Sequence, residues 1–289
     1  MKVGLSLGSG GARGWAHIGV IQALNEADIS IDIINGSSIG AVVGGGYALH
    51  LDTNKMISVA KEVVRTVNVN RYSAFRHTFE SQSFLRNWLV NVICNIAAMR
   101  SHMLSHRDNI KALRLLFGDR EFRDTRIPFS SVAVDLMRGE VVAISEGKLA
   151  DGILPSLSIP GIFPPVKRNS QLLCDGGVLA NVPARELRQQ GAEFVIASIL
   201  GVEVCKVYRN GLDILHCVDS LKFQRISQWE LDEADFLISI DIPNFDASRY
   251  DNYEIAIHHG YEVTKQALPY LKRRLARACA ERNYTGTGR

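Results

Sequence analysis

Residues 36–40 carry the pattern that points most directly to chemistry. They form a G-x-S-x-G motif, Gly36-Ser37-Ser38-Ile39-Gly40. The motif follows an apolar run at 31–35 and precedes a helical run at 41–49, which is the strand-turn-helix context in which such a serine acts as a nucleophile. The sharp bend strains the backbone at the serine and favours flanking glycines, because strand and helix cross closely there. The pattern predicts that Ser38, and not Ser37, attacks an acyl carbonyl.

A glycine-rich stretch, Gly8-Ser9-Gly10-Gly11-Ala12-Arg13-Gly14, lies one strand earlier. Attack on a carbonyl creates a negative oxygen, and free backbone amides at a helix start stabilise such an oxygen. We expect the Gly10 and Gly11 amides to serve as this oxyanion hole if the first two strands are neighbours. A nucleotide phosphate loop is the alternative, since glycine-rich strand-to-helix turns serve both purposes. No Lys-Ser or Lys-Thr pair follows these glycines, which favours acyl transfer.

Asp175 is the expected proton acceptor. A serine nucleophile usually relies on a histidine that a carboxylate supports. None of the eight histidines stands alone in a predicted strand-end loop, whereas Asp175 follows a short apolar run and opens Asp175-Gly176-Gly177. Two glycines allow close approach to another segment, although a plain hairpin turn is the structural alternative. Because a carboxylate of ordinary pKa is a weak base, this role requires burial to raise the pKa.

The elements that must position these residues alternate between strand and helix. This rhythm predicts an α/β fold, a three-layer α/β/α arrangement with a mostly parallel central sheet. The first helix is expected at about Ala12 to Ala27. The predicted strands are Val3–Leu7, Ile31–Asn35, Ser131–Asp135, Glu140–Ser145, Leu172–Cys174, Phe194–Leu200 and Phe236–Asp241.

We expect a single domain over residues 1–289, because open α/β sheets of this length usually form one domain. An inserted helical cap is expected at about 71–117, where helical periodicity continues without a strand. Its aromatic residues could line an acyl-chain entrance, or they could simply pack. A basic C-terminal helix or tail at 265–289 could meet anionic lipid, or it could be a solvated helix face.

Composition narrows the cellular setting. The net charge is only +3, and no basic stripe interleaved with aromatics suggests nucleic acid. The five widely spaced cysteines indicate neither a disulfide framework nor a zinc site. The N-terminal apolar run is too short for a signal-peptide core, and no apolar run reaches the length of a spanning helix. We therefore expect a cytoplasmic protein, with peripheral membrane contact as an option, and the oligomeric state stays open.

Taken in order, four segments resemble those of the patatin-like phospholipases, the family of plant patatins and of the catalytic domain of neuropathy target esterase. The resemblance is to the bacterial type and covers about residues 3–200. One departure is Ser9, which stands where the family often has the first of three glycines. The four segments are Gly10-Gly11-Ala12-Arg13-Gly14, Gly36-Ser37-Ser38-Ile39-Gly40, the proline-rich stretch Ser156 to Val166, and Asp175-Gly176-Gly177, with Asn181-Val182-Pro183 following.

The resemblance implies a Ser38/Asp175 dyad without histidine and an oxyanion hole at Gly10 and Gly11 assisted by Arg13. It also implies hydrolysis of lipid or fatty-acyl esters, as by a lipase, phospholipase or lysophospholipase-type esterase, without metal or cofactor. Arg13 could stabilise charge directly or could only hold the loop. Two alternatives for the function stay open. One is a soluble-ester or acyl-thioester hydrolase with the same dyad, and the other is a catalytically silent lipid-sensing or lipid-binding protein.

Overall fold

The computed structural model describes residues 1–66, 104–201, 211–243, 245–246 and 249–286. These residues form one eight-stranded sheet, in which hydrogen-bonded neighbours run β5-β6-β3-β2-β1-β7-β8 and β4 pairs with β3. Strands β1, β2, β3, β7 and β8 are parallel, whereas β4 and β6 run antiparallel to β3. The predicted α/β fold with a mostly parallel sheet is confirmed. The strands are β1 (Val3–Leu7), β2 (Ile33–Ser37), β3 (Phe129–Asp135), β4 (Glu140–Ile144), β5 (Val166–Arg168), β6 (Gln171–Asp175), β7 (Phe194–Leu200) and β8 (Phe236–Ile240).

Helices cover both faces of this sheet. Alternate residues of β2 show the two faces, since Ile33 packs in a small cluster with α6 and Ile34 packs in the main core with α1 and α2. Successive strand side chains point to opposite faces, so each face needs its own cover. In the described residues the α-helices are α1 (Ala16–Glu26), α2 (Ile39–His50), α3 (Thr53–Thr66), α4 (Arg107–Phe117), α5 (Leu149–Ile153), α6 (Ala184–Gln189), α7 (Gly211–Leu231) and α8 (Tyr253–Gly286).

The C-terminal ends of β2 and β6 lie next to each other beside β3, and this arrangement positions the residues of the site. Residues 133–135 of β3 pair with both β4 and β6, so β4 and β6 lie on opposite edges of β3. Residues 131 and 132 pair with both β4 and β2, so β2 shares its edge with β6. Ser37 ends β2 opposite Val132, and Asp175 ends β6 opposite the next residue, Ala133. The chain after β2 and the end of β6 are therefore adjacent.

Several predicted boundaries were wrong by a few residues. Strand β2 begins at Ile33, not at residue 31, because its ladder with β1 starts at Gly4 and Ile33. The first helix was predicted to begin at residue 12, but residues 11–15 form a tighter 3₁₀ turn and α1 starts at Ala16. The three-residue strand β5 was missed, since it is too short to show an alternating pattern.

The predicted cap at 71–117 lies largely outside the described residues. Its last part, residues 107–117, is helix α4, and Leu113 and Phe117 of this helix are buried in the main core. The predicted basic tail is, as far as Gly286, the second half of the long helix α8. Arg282 of α8 binds Glu193, which directly precedes β7, so this part of α8 lies at the N-terminal ends of the parallel strands, whereas Ser38 follows the C-terminal end of β2.

Candidate active site

Ser38 stands at a strained bend between β2 and α2. Its backbone has φ 54° and ψ −123°, a left-handed region that a residue with a side chain rarely adopts. The helix after the bend crosses the end of β1 so closely that a Cβ at Gly40 would lie 2.2 Å from the carbonyl oxygen of Leu7. Only glycine fits at that crossing. The local structure therefore has the strand-turn-helix geometry that the motif predicts.

The structure brings Ser38 and Asp175 together, although 136 residues separate them along the chain. The Ser38 hydroxyl donates a hydrogen bond of 2.7 Å to Oδ2 of Asp175. The other carboxylate oxygen, Oδ1, accepts a hydrogen bond of 2.7 Å from the Gly177 amide in the 3₁₀ turn that follows β6. Both side chains are buried, with exposed fractions of 7% and 5%. One carboxylate oxygen is thus fixed by the backbone while the other faces the serine.

The pKa of Asp175 is raised from 3.8 to about 6. Burial causes this rise, because a low-dielectric surrounding disfavours the charged carboxylate. The hydrogen bonds from Ser38 and Gly177 oppose the rise but do not cancel it. A carboxylate of this pKa is ionised at neutral pH and is a better proton acceptor than an exposed aspartate.

The glycine loop has two amides that differ from their neighbours in their hydrogen bonding. The Gly8 amide donates to the Ser198 carbonyl, and the Ser9 amide donates to the Asn181 carbonyl. No hydrogen bond from the Gly10 or Gly11 amide to protein occurs among the described residues. Gly11 has a positive φ of 58° and lines the same cavity as Ser38. The lack of a hydrogen bond is compatible with the predicted oxyanion hole, and the role of the Gly10 and Gly11 amides stays a prediction.

Ser9 anchors the start of the glycine loop to Asn181. Its hydroxyl donates to Oδ1 of Asn181 over 2.5 Å, and the side-chain amide of Asn181 donates to Ser227 of α7 over 2.8 Å. This contact explains the departure from the glycine pattern at Ser9, because the serine side chain has a buried partner in the Asn-Val-Pro segment. The pair fixes the start of the glycine loop with one backbone and one side-chain hydrogen bond.

Arg13 contacts backbone carbonyls. Its guanidinium donates to the carbonyl of Gly10 and to the carbonyl of Gly201, which follows β7. These bonds connect the glycine loop to the end of the neighbouring strand. Of the two roles expected for Arg13, these contacts support the one that holds the loop, and direct stabilisation of a charge stays a prediction.

Ser156 is a site residue that the sequence reasoning did not assign. Its hydroxyl oxygen accepts a hydrogen bond of 2.7 Å from the Ser38 amide and donates one of 2.5 Å to the Val132 carbonyl. The same segment supplies the Ser158 carbonyl, which accepts from the Asp175 amide over 3.0 Å. The only available signal was the position of both serines at the start of the proline-rich stretch.

His17, the buried histidine next to the glycine loop, has hydrogen-bond partners at both ring nitrogens. Both ring nitrogens of His17 have partners, the Ser198 hydroxyl at 3.0 Å and the Gly8 carbonyl at 2.9 Å. Burial lowers the pKa of His17 to about 4, so the ring is neutral at physiological pH. His106 lies beside Ser158, the residue whose carbonyl accepts from the Asp175 amide. Its Nε2 contacts the Pro164 carbonyl at 2.8 Å. His77 and His102 lie outside the described residues.

A narrow apolar cavity opens beside Ser38. Helices α2, α3 and α4 form its walls, and residues of the 157–163 loop, with Trp15 and Tyr250, line it near the serine. Almost all of the lining is aliphatic or aromatic, which suits a hydrocarbon chain. The polar exceptions beyond Ser38 are Ser105, Asp108 and Asn109 around the start of α4.

The described residues contain neither a cluster of metal-binding side chains nor a membrane-spanning helix. No group of three or more histidine, cysteine or acidic side chains in those ranges could hold a metal ion. No helix in the same part of the chain is long and apolar enough to cross a membrane.

The fold and site define an α/β protein with a strained serine at the end of its second strand, paired with a carboxylate beside a glycine loop. The family model for patatin-like phospholipases matches residues 5–188. The chain therefore belongs to the patatin-like phospholipase family, as the motifs predicted.

Curated relatives agree with this assignment. The chain is 35% identical over 198 residues to an uncharacterized NTE family protein of Mycobacterium bovis, a match that covers 68% of this chain and 48% of that protein. It is 30% identical over 199 residues to the lysophospholipase NTE1 of Meyerozyma guilliermondii, covering 69% of this chain and 12% of that protein. The chain thus spans half or less of the length of these relatives. Among solved structures, VipD from Legionella pneumophila has a TM-score of 0.47 and 15% identity, covering 93% of this chain and 66% of that one.

Proposed function

We propose that this protein is a serine acyl hydrolase that cleaves lipid or fatty-acyl esters with Ser38 and Asp175 as a catalytic dyad. The observation that carries the proposal is the direct hydrogen bond of 2.7 Å between the Ser38 hydroxyl and the buried Asp175 carboxylate. A nucleophile needs a base within hydrogen-bonding reach, and this contact supplies one without a histidine between them.

The first half-reaction forms an acyl-enzyme. Asp175 takes the proton of the Ser38 hydroxyl as Oγ bonds to the ester carbonyl carbon, and the carbonyl oxygen becomes negative. The amides of Gly10 and Gly11 stabilise this oxygen. When the tetrahedral intermediate collapses, the bond to the leaving alcohol breaks, and Asp175 returns the proton to that alcohol. The acyl group then remains on Ser38.

Water completes the cycle. Asp175 is again an ionised base, and it takes a proton from a water molecule that attacks the acyl-enzyme carbonyl. The second tetrahedral intermediate uses the same two amides and collapses to a free carboxylic acid, while Ser38 recovers its proton. A pKa of about 6 permits both roles at neutral pH, because the carboxylate is ionised there but still accepts a proton readily.

The apolar cavity supports a fatty-acyl substrate. It begins at the nucleophile and is lined almost throughout by hydrocarbon side chains. One relative carries the name lysophospholipase, which makes a lysophospholipid the substrate that we propose to test first. Soluble esters and acyl thioesters use the same atoms and are separated from it by a substrate panel.

Peripheral membrane contact and a cytoplasmic location remain part of this proposal. The basic end of α8 gives the membrane contact little support, because Arg277 pairs with Glu281 and Arg282 pairs with Glu193. It also lies at the N-terminal ends of the parallel strands, away from Ser38 at the C-terminal end of β2. Flotation of the protein with vesicles of anionic lipid measures the contact directly, and a protein that stays at the bottom of the gradient contradicts it.

The test of the function compares hydrolysis of a lysophospholipid and of a short-chain ester by four proteins: wild type, Ser38→Ala, Asp175→Asn and Ser37→Ala. Ser37 is the matched control, since it is the adjacent buried serine of the same motif. We expect turnover by wild type and Ser37→Ala and none by the other two. Turnover that survives Asp175→Asn contradicts the dyad, and a wild type without turnover favours the silent lipid-binding alternative.

A further inference from the structure

The residues that line the apolar cavity extend along α2 away from Ser38, and we call this space the tunnel. Helix α2 starts directly after Ser38, and Ile39 and Val42 of α2 line the cavity along one side of the helix. Helix α3 follows after a two-residue connection, and Met56, Val59 and Val63 of α3 line the cavity. Helix α4 begins near the 157–163 loop, where the Leu104 amide donates to the Ile162 carbonyl, and its residues Ala112 and Leu116 line the cavity. The three helices therefore enclose a space that leads away from Ser38 into the core.

The far end of this tunnel is closed. Met56 at the start of α3 lines the cavity and is only 2% exposed. A Cβ on Gly46 of α2 would lie 2.5 Å from the sulfur and terminal methyl of Met56 and 3.7 Å from Leu116 of α4. Met56 and Leu116 thus close over Gly46, and we name this group the floor. Gly46 lets Met56 approach the α2 backbone at this level.

The lining changes character along the tunnel. Around the start of α4, on the side of the serine, it includes Ser105, Asp108 and Asn109. One turn and two turns further along, respectively, Ala112 and Leu116 of the same helix are apolar and line the cavity. A polar entrance and an apolar end suit a molecule with one polar end and one hydrocarbon end, with the hydrocarbon directed towards the floor.

The distance from the nucleophile to the floor sets a length. Gly46 is eight residues after Ser38 on one helix, which corresponds to about 12 Å at 1.5 Å per residue. An extended alkyl chain with C–C bonds near 1.5 Å advances roughly 1.25 Å per carbon. About eight to ten carbons therefore fit between Ser38 and Met56.

We propose that the floor measures the acyl chain, so that the enzyme prefers acyl groups of about eight to ten carbons and Met56 is a specificity-determining residue. This inference rests on the proposed hydrolysis at Ser38. Each methylene that enters the tunnel adds buried apolar area, which raises kcat/KM about fourfold per carbon. An acyl chain that is longer than the distance to the floor has to bend or leave its extra carbons in water, so kcat/KM no longer rises with chain length.

Two variants change the length in opposite directions. Met56→Ala removes the side chain that closes the end and extends the optimum by about two to three carbons, the reach of the side chain removed. Ala112→Leu places a larger side chain on the cavity-facing side of α4, about one turn before the floor, and shortens the optimum. The matched control is Met137→Ala, the same substitution at a side chain that is 72% exposed in a turn.

The experiment measures kcat/KM on p-nitrophenyl esters of four to fourteen carbons, each below its critical micelle concentration. We expect the wild type and Met137→Ala to peak at eight to ten carbons. Met56→Ala should raise the ratio of dodecanoyl to octanoyl ester turnover at least about tenfold, and Ala112→Leu should lower the ratio of octanoyl to butanoyl ester turnover by about tenfold.

The possible failures are distinguishable. If the wild type hydrolyses the esters and neither tunnel variant moves the optimum, the floor does not measure the chain, and the proposed function stands. If the wild type hydrolyses none of them, the proposed function itself fails. If Met56→Ala alone lowers the rate without changing the dependence on chain length, the substitution has caused only a packing defect. The Ala112→Leu variant then decides, and an unchanged optimal chain length in that variant overturns the proposal.

Discussion

The buried Asp175 carboxylate should make the protein less stable at neutral pH than it would be with a neutral side chain. Its pKa is about 6 in the folded protein, against 3.8 for an unburied aspartate. A raised pKa means that this group stabilises the fold fully below pH 3.8 and that the contribution is lost as the pH rises through 6. The difference corresponds to about 3 kcal/mol at 1.36 kcal/mol per pKa unit. Asp175→Asn removes the titration and should restore this amount.

The assay is urea unfolding of wild type and Asp175→Asn at several values between pH 4 and pH 8. A constant offset between the proteins reports the fit of the amide group, so the informative quantity is how their difference in free energy of unfolding changes with pH. We expect Asp175→Asn to gain about 2 kcal/mol on the wild type between pH 4 and pH 7, and little more above, because part of the full difference is already present at pH 4. A difference that stays flat across this range would refute the reasoning from burial.

Three further predictions test the site. The kcat/KM of the wild type should rise tenfold per pH unit below an apparent pKa of about 6 and level off above it. An apparent pKa near 7 together with loss of activity when a histidine is replaced would contradict the dyad. Ser156→Ala should lower kcat at least about tenfold at similar KM, because an unpaired Ser38 amide costs about 1–3 kcal/mol. Unchanged steady-state kinetics would contradict this role. Gly40→Ala should lose about 3 kcal/mol in urea unfolding, because its Cβ meets the Leu7 carbonyl at 2.2 Å, whereas Gly211→Ala, with open space around it, should be near neutral.

The local parts of the site could be predicted from sequence. Ser38 and its flanking glycines form a short-range pattern, and the bend that they require follows from backbone sterics alone. The alternation of strands and helices also predicts that β1 and β2 are parallel neighbours, which places the glycine loop beside the bend at Ser38. These features depend on residues close in the chain, and for that reason the sequence carries them clearly.

The long-range parts could not be derived in this way. The end-to-end meeting of β2 and β6 beside β3 depends on which strands pair, and no local pattern records that Ala133 lies opposite Asp175. The residue types already suggested Asp175 as the proton acceptor of Ser38, but a hairpin turn was an alternative for this segment, and the resemblance to a family decided between them. Ser156 was missed because a serine that accepts a hydrogen bond from a backbone amide has no sequence signature of its own.

The tunnel was beyond sequence reasoning for a similar reason. Apolar residues at helical spacing in α3 and α4 look the same whether they pack against each other or line a cavity. Only the placement of three helices shows that Met56 and Leu116 close one end of a space that begins at Ser38. Gly46 could not be assigned a role either, since a glycine inside a helix becomes informative only when its neighbour across the crossing is known.

The most direct test of the central claim is covalent labelling of the purified protein with a fluorophosphonate, followed by peptide mapping by mass spectrometry. The reagent phosphonylates an activated serine and leaves ordinary serines unmodified. We predict a single adduct on Ser38, and none on the adjacent Ser37 or in the Asp175→Asn protein. Absence of the adduct from the folded wild type, or an equal rate of labelling in Asp175→Asn, would contradict activation of Ser38 by Asp175.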